Sequence, residues 1–171
     1  MSAASRSRYR WAVPLEQTTG RWSGVNMREL IKQYPVIIEQ DVSWSDMDAY
    51  QHVNNAVYFR YFEDVRIAYF EKAGINTHME KTNQGPILAS TRCDFRAPLR
   101  FPDRIRIATD VTETRDNRFT MTYIVYSEKM DKVVAEGEAL VVYYNYDLRR
   151  SCQVPEPILA AMTGMHAGTE G

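Results

Sequence analysis

Between residues 54 and 72, Tyr58, Tyr61, Phe62, Val65, Ala68 and Tyr69 recur at intervals of three and four, opposite Arg60, Asp64, Glu71 and Lys72. This period predicts one long amphipathic helix. Asn54 or Asn55 can cap its start, and Gly74 suits the left-handed residue past its end. The same spacing, more briefly, marks 25–34 as a short helix with Asn26 as N-cap, and Pro35 forces Tyr34 into an extended form. Runs at 36–44, 86–96, 103–113, 118–128 and 133–145 are β-branched or aromatic in bias and partly alternating, so they predict strands. TRDN (114–117) and EKMD (128–131) separate the last three runs as hairpin turns do. Ile105, Ile107 and Thr109 alternate with Arg106, Ala108 and Asp110, which implies one buried and one wet face. A final helical turn is expected at 158–162.

The predicted order is helix, strand, long helix, then four strands in a meander. Antiparallel strands with one long helix segregated to a single face form an α+β architecture. Residues 1–35 read as an extension with a short helix, 36–148 as the domain, and 149–171 as a tail.

With 171 residues, 44% apolar and 25% charged, the chain matches one globular domain. A net charge of −1 gives no overall field to collect nucleic acid or anionic membrane. No apolar run approaches the ~18 residues of a membrane span. Cys93 and Cys152 form no CxxC pair, which suits a reducing compartment and hence the cytoplasm. The Ser- and Arg-rich start, with no acid before Glu16, leaves a mitochondrial presequence as the alternative to a frayed terminus.

The loop before the long helix gathers Asp46, Asp48, His52, Asn54 and Asn55 within ten residues. A calcium loop is excluded, because Gln51 and Val57 stand where its glycine and bidentate glutamate belong. A transition-metal site from Asp46, Asp48 and His52 would draw all its ligands from one short loop, and His78 and His166 are distant; no metal is expected. A carboxylate beside a helix N-terminus is different chemistry. The first N–H groups of a helix lack intrahelical acceptors and can hold the oxyanion of an attacked carbonyl, while Asp48 activates water or attacks directly. The alternative is that Asp46 and Asp48 only stabilise the turn. No GxSxG elbow, phosphate loop or HExxH is present.

The segment DMDAYQHVNNAVYFRYFE (46–63) resembles the D-x-D-x-x-(G)-H-V-N-N-x-x-Y-x-x-Y-x-E pattern of hotdog-fold acyl-CoA thioesterases, the 4-hydroxybenzoyl-CoA thioesterase group. CDFRAPLRFPDRIRI (93–107) is similar to their second landmark, and the resemblance spans residues 36–147. It implies a hotdog fold, an antiparallel sheet wrapped around one long central helix. It also implies hydrolysis of acyl-CoA, or of acyl-carrier-protein thioesters, without a cofactor, in a homodimer or homotetramer joined edge to edge with sites at the interface. Asp48 falls on the catalytic carboxylate, the Asn55 N–H on the oxyanion donor, and His52 and Asn54 on the His-Val-Asn-Asn signature. Glu63 lies about where a sister clade places its acid. Tyr58 falls on the helix face expected to help line the acyl pocket. Among Arg92, Arg96, Arg100, Arg104 and Arg106, Arg96 and Arg100 are candidates for the phosphates of coenzyme A. The chain departs from the pattern at Gln51, where many relatives have Gly, and at Tyr50, where plant acyl-carrier-protein thioesterases have Asn. The rival expectations are a hotdog enoyl-CoA hydratase or dehydratase and a non-catalytic acyl-CoA-binding protein.

Overall fold

A computed structural model describes Gly24 and residues 26–167; the presequence reading lies outside them. The elements in order are α1 (Met27–Ile31), β1 (Val36–Asp41), a 3-10 turn (Trp44–Asp46), α2 (Asn55–Lys72), α3 (Ile75–Thr82), β2 (Gln84–Phe95), β3 (Arg104–Arg115), β4 (Arg118–Ser127), β5 (Lys132–Asn145), β6 (Arg150–Ser151) and α4 (Glu156–Ala167). All strand pairs are antiparallel, and the five main strands run β1-β3-β4-β5-β2 across the sheet.

The structure departs from the expected four-strand meander. β3, β4 and β5 are consecutive neighbours, but β2 crosses over to pair with β5 at the far edge. The β2–β3 connection explains it: residues 96–103 carry Pro98 and Pro102, and hairpins need only two to five residues. Bulges between Leu88 and Ser90, Val111 and Glu113, and Val125 and Tyr126 bend the strands, and such bends curl a sheet.

Helix α2 lies across the inner face of that curl. Phe62 stacks on Tyr123 of β4 with ring centroids 4.7 Å apart. Phe70 meets Phe119 edge-on at 6.2 Å, and Tyr58 meets Phe95 of β2 at 5.0 Å. The side chains of Tyr61, Phe62, Val65 and Tyr69 are all at most 1% exposed. As the sequence pattern requires, the stripe is the core.

The outer face is not wet along its length. Met27 and Ile31 of α1 pack against Ala108, Ile124, Tyr126 and Val133, forming a second apolar cluster. The Nε of Arg28 donates to the Tyr126 hydroxyl at 3.1 Å and faces Asp131 at 3.2 Å. The simple alternation read at 105–110 therefore fails, because α1 covers the face that Ala108 occupies. The expected tail also joins the domain: β6 pairs with β5, and α4 buries Ile158 and Met162 in the main core. Helix α3 was not foreseen. Its buried Ile75 follows Gly74, whose φ of 75° lets the chain turn directly from α2. Among the described residues no helix is long and apolar enough to cross a membrane.

Candidate active site

Residues 46–54 fold back on themselves just ahead of α2. The Asp48 N–H donates to His52 O and the Asn54 N–H to Asp46 O, both at 2.9 Å, and Met47 bridges Val53. Val53 is 3% exposed and anchors the hairpin in the core. At its tip the Gln51 N–H donates to Asp48 O at 2.9 Å, with Gln51 at φ 62°. That left-handed conformation explains why glycine suits this position in the pattern and why glutamine is strained there. The Tyr50 N–H donates to Asp48 Oδ1 at 2.9 Å, an Asx-turn that fixes the carboxylate. Asp48 is half-buried, and its Oδ2 has no hydrogen-bond partner among the described residues.

The same hairpin delivers the helix start. Asn54 is the N-cap: its Oδ1 accepts from the Ala56 N–H at 2.9 Å, and its carbonyl accepts from the Val57 N–H at 2.9 Å. The Asn55 N–H, on the first helical residue, has no acceptor among the described residues.

Asp46, the first carboxylate of the motif, accepts at Oδ2 from the Tyr61 hydroxyl at 3.3 Å. Burial, and then the Asp46 charge, push the Tyr61 hydroxyl upward from its usual range, so it stays a donor. The bond ties the hairpin to the second turn of α2. Tyr61→Phe is expected to lower stability by about 1 kcal/mol, and to reduce turnover by loosening Asp48; thermal denaturation and initial rates on one preparation check both.

The second sequence landmark closes on the first. The Val53 N–H donates to Leu99 O, and the Val42 N–H to Asp103 O, both at 2.9 Å. Leu99 is fully buried. Burial pushes the Tyr58 hydroxyl up to about 12, although the Leu99 backbone pulls the other way. Cys93 beside it is also pushed up to about 12, by burial and by Asp94, so it remains a thiol at neutral pH.

The basic residues divide. Arg100 Nη2 lies 2.7 Å from His52 Nε2. A guanidinium can only donate, so that nitrogen accepts and His52 carries its hydrogen on Nδ1. Arg96 pairs with the buried Glu136 at 2.7 Å. Arg104 pairs with Glu39 and Asp41, and Arg106 with Glu39 and Glu128; these engagements are invisible in the sequence. Glu63 is exposed and lies eight residues beyond Asn55, about 12 Å along the helix. Among the described residues no group of three His, Cys, Asp or Glu side chains is arranged to hold a metal.

Sequence reasoning missed Tyr61 as a partner of Asp46, and Leu99 as the clasp. Tyr61 had a signal, its spacing within the motif; Leu99 had only its place inside the second landmark.

A curled antiparallel sheet wrapped on a helix, with an acid-bearing hairpin at that helix's start, is the hotdog arrangement of thioesterase-like proteins. Residues 42–162 match the thioesterase-like superfamily, and the chain belongs to that family. It is 25% identical to the long-chain acyl-CoA thioesterase FadM of Escherichia coli, over 60% of this chain and 76% of that one. With the 1,4-dihydroxy-2-naphthoyl-CoA hydrolase of Thermosynechococcus vestitus it shares 26%, over 71% and 84%. The match to the Bacillus subtilis protein YsmA is 31% identical and spans 48% of this chain and 55% of that protein's length. A Thermus thermophilus thioesterase solved with coenzyme A and Zn has the same fold, with a TM-score of 0.70 at 24% identity over 79% of this chain and 96% of that one.

Proposed function

We propose that the protein hydrolyses acyl-CoA thioesters to the free acid and coenzyme A. The observation that carries this reading is the Asn55 N–H, left without an acceptor among the described residues at the start of α2, on the hairpin that holds the half-buried Asp48. The thioester carbonyl oxygen takes the Asn55 N–H. Asp48 Oδ2 either removes a proton from the attacking water or attacks the carbon itself. The negative charge that develops on the carbonyl oxygen is held by the helix start. Collapse breaks the carbon–sulfur bond, and coenzyme A leaves as the thiolate. On the water route, the proton held by Asp48 is then released to thiolate or solvent. On the direct route, collapse leaves the acyl group on Asp48 as an anhydride, which water then cleaves to the free acid and the Asp48 carboxylate.

His52, fixed by Arg100, presents its Nδ1–H as a further donor. Asn54 keeps the helix start open by capping the next amide, and Tyr58 lines the acyl side with Phe95. Arg100 is the better candidate for a coenzyme A phosphate, since Arg96 is held by Glu136. Glu63 is kept as a reserve acid that would serve only if the substrate ran far along α2. The reading keeps the cytoplasm as the compartment, where the free thiols Cys93 and Cys152 stay reduced.

The relatives named for coenzyme A thioesters support the substrate class. A panel of acyl-CoAs, assayed for thiol release, tests it. Enoyl-CoA turnover without thiol release would point to a hydratase, and tight binding without turnover to a carrier.

We also propose that two copies join through β2. It is an edge strand of 12 residues with Leu88 and Phe95 more than 40% exposed, and a long unpaired edge invites another strand. Sedimentation is expected to give at least twice the chain mass. Thr91→Pro, which removes a mid-strand N–H, is expected to release monomer.

A further inference from the structure

One charged side chain lies where the stripe of α2 is otherwise apolar. Arg66 stands four residues from both Phe62 and Phe70 and is only 9% exposed. Its Nη1 donates to the Tyr123 hydroxyl at 3.2 Å, which passes on to Met121 Sδ at 3.7 Å, so the chain of bonds ends on neutral groups. Among the described residues no carboxylate reaches ion-pairing distance of Arg66. Glu63, one turn earlier, shares the same cavity without pairing. None of the other Arg66 donors is a sealed, partnerless atom. With Glu63, Arg66 lines a cavity of about 200 Å³ between α2, β2 and β5, whose other walls are the apolar Ile67, Phe70, Pro86, Leu88 and Val141. A buried guanidinium without a counter-charge is expensive, and it matches a carboxylate with two parallel hydrogen bonds. The apolar walls match methylene groups.

We propose that this cavity binds a carboxylate attached to an apolar chain. Two sources share that chemistry: a free fatty acid, or an acyl chain with a second carboxylate at its far end. The second source rests on the thioesterase reading. It would need a long chain, because Arg66 lies 11 residues past Asn55, about 16 Å along the helix. The first does not depend on turnover.

Calorimetric titration of the full-length protein with decanoate and with decanol tests the site directly. Decanoate is expected to bind at least tenfold tighter. Arg66→Met is expected to erase that preference, and Arg66→Lys to keep part of it. Ile67→Trp, which fills the cavity from its exposed rim, is expected to abolish decanoate binding and covers the case in which Arg66→Met does not fold. A kcat/KM preference for dodecanedioyl-CoA over dodecanoyl-CoA, lost in Arg66→Met, assigns the site to the substrate's far end; decanoate binding without that preference assigns it to a free acid. Equal binding of decanoate and decanol overturns the proposal, as does a preference that survives both Arg66→Met and Ile67→Trp. So does an Arg66→Met variant whose only change is in sedimentation, since Arg66 would then serve an interface between copies.

Discussion

Asp48→Asn is expected to lower kcat for acyl-CoA hydrolysis by about 10²–10⁴-fold, the usual contribution of a positioned base. The fold should not notice. Asparagine keeps an Oδ1 that can accept the Tyr50 N–H, so the Asx-turn and the hairpin that rests on it survive. What is lost is the anionic oxygen that has no partner among the described residues, the one able to take a proton or attack a carbon. KM should change little if that oxygen acts on the reacting atoms alone. Full activity in this variant, with the melting temperature of the parent, would remove Asp48 from the mechanism and leave it the turn-stabilising role that carboxylates ahead of helices commonly play.

Gly137→Ala is expected to cost about 2 kcal/mol of stability, seen as a melting point lower by roughly 4–8 °C for a chain of this size. A methyl group there would sit 2.4 Å from Phe62 Cε2, 2.5 Å from Phe62 Cζ and 3.0 Å from the Arg92 carbonyl oxygen. Neither neighbour yields easily. Phe62 is fully buried and lies nearly parallel to Tyr123, at 14°, and the Arg92 carbonyl belongs to β2, which pairs with β5 at this level. Gly137 is therefore a point of close approach between helix and sheet, and its lack of a side chain is what makes room there for Phe62 of α2. Phe62→Leu should be destabilising alone yet should soften the effect of Gly137→Ala, giving a non-additive double-mutant cycle. Strict additivity would show that the strain lies elsewhere.

How much of this was legible beforehand depended on whether the signal was local. The long helix, its Asn54 cap, the left-handed Gly74 and the β3-β4-β5 meander are written in periods and turn residues a few positions long. The place of β2 was not, because a strand's neighbour is decided by a crossover whose only trace was two prolines. Nor was the cover that α1 gives to Ala108, or α4 to the core, since a short helix shows its own apolar side but not the surface it will meet. In the site, the motif brought Asp48, His52 and Asn54 forward, and the structure collects all three in one hairpin. Arg96 reads as the equal of Arg100 in the sequence; only the folded register of β2 and β5 gives it the acid Glu136. The spacing of Arg66 places it among the apolar residues of α2, where a helical period alone does not mark it. That same spacing is what makes a charged side chain there unusual.

The decisive chemistry is cleavage of an acyl–sulfur bond at the start of α2, dependent on Asp48. Mass-spectrometric product counting, with wild-type protein and the Asp48→Asn variant on the best acyl-CoA of the panel, reads this directly. The prediction is free acid and coenzyme A in one-to-one ratio from the wild type and almost none from the folded variant. Intact thioester throughout, a hydrated acyl-CoA with no free thiol, or equal cleavage by both proteins would contradict it.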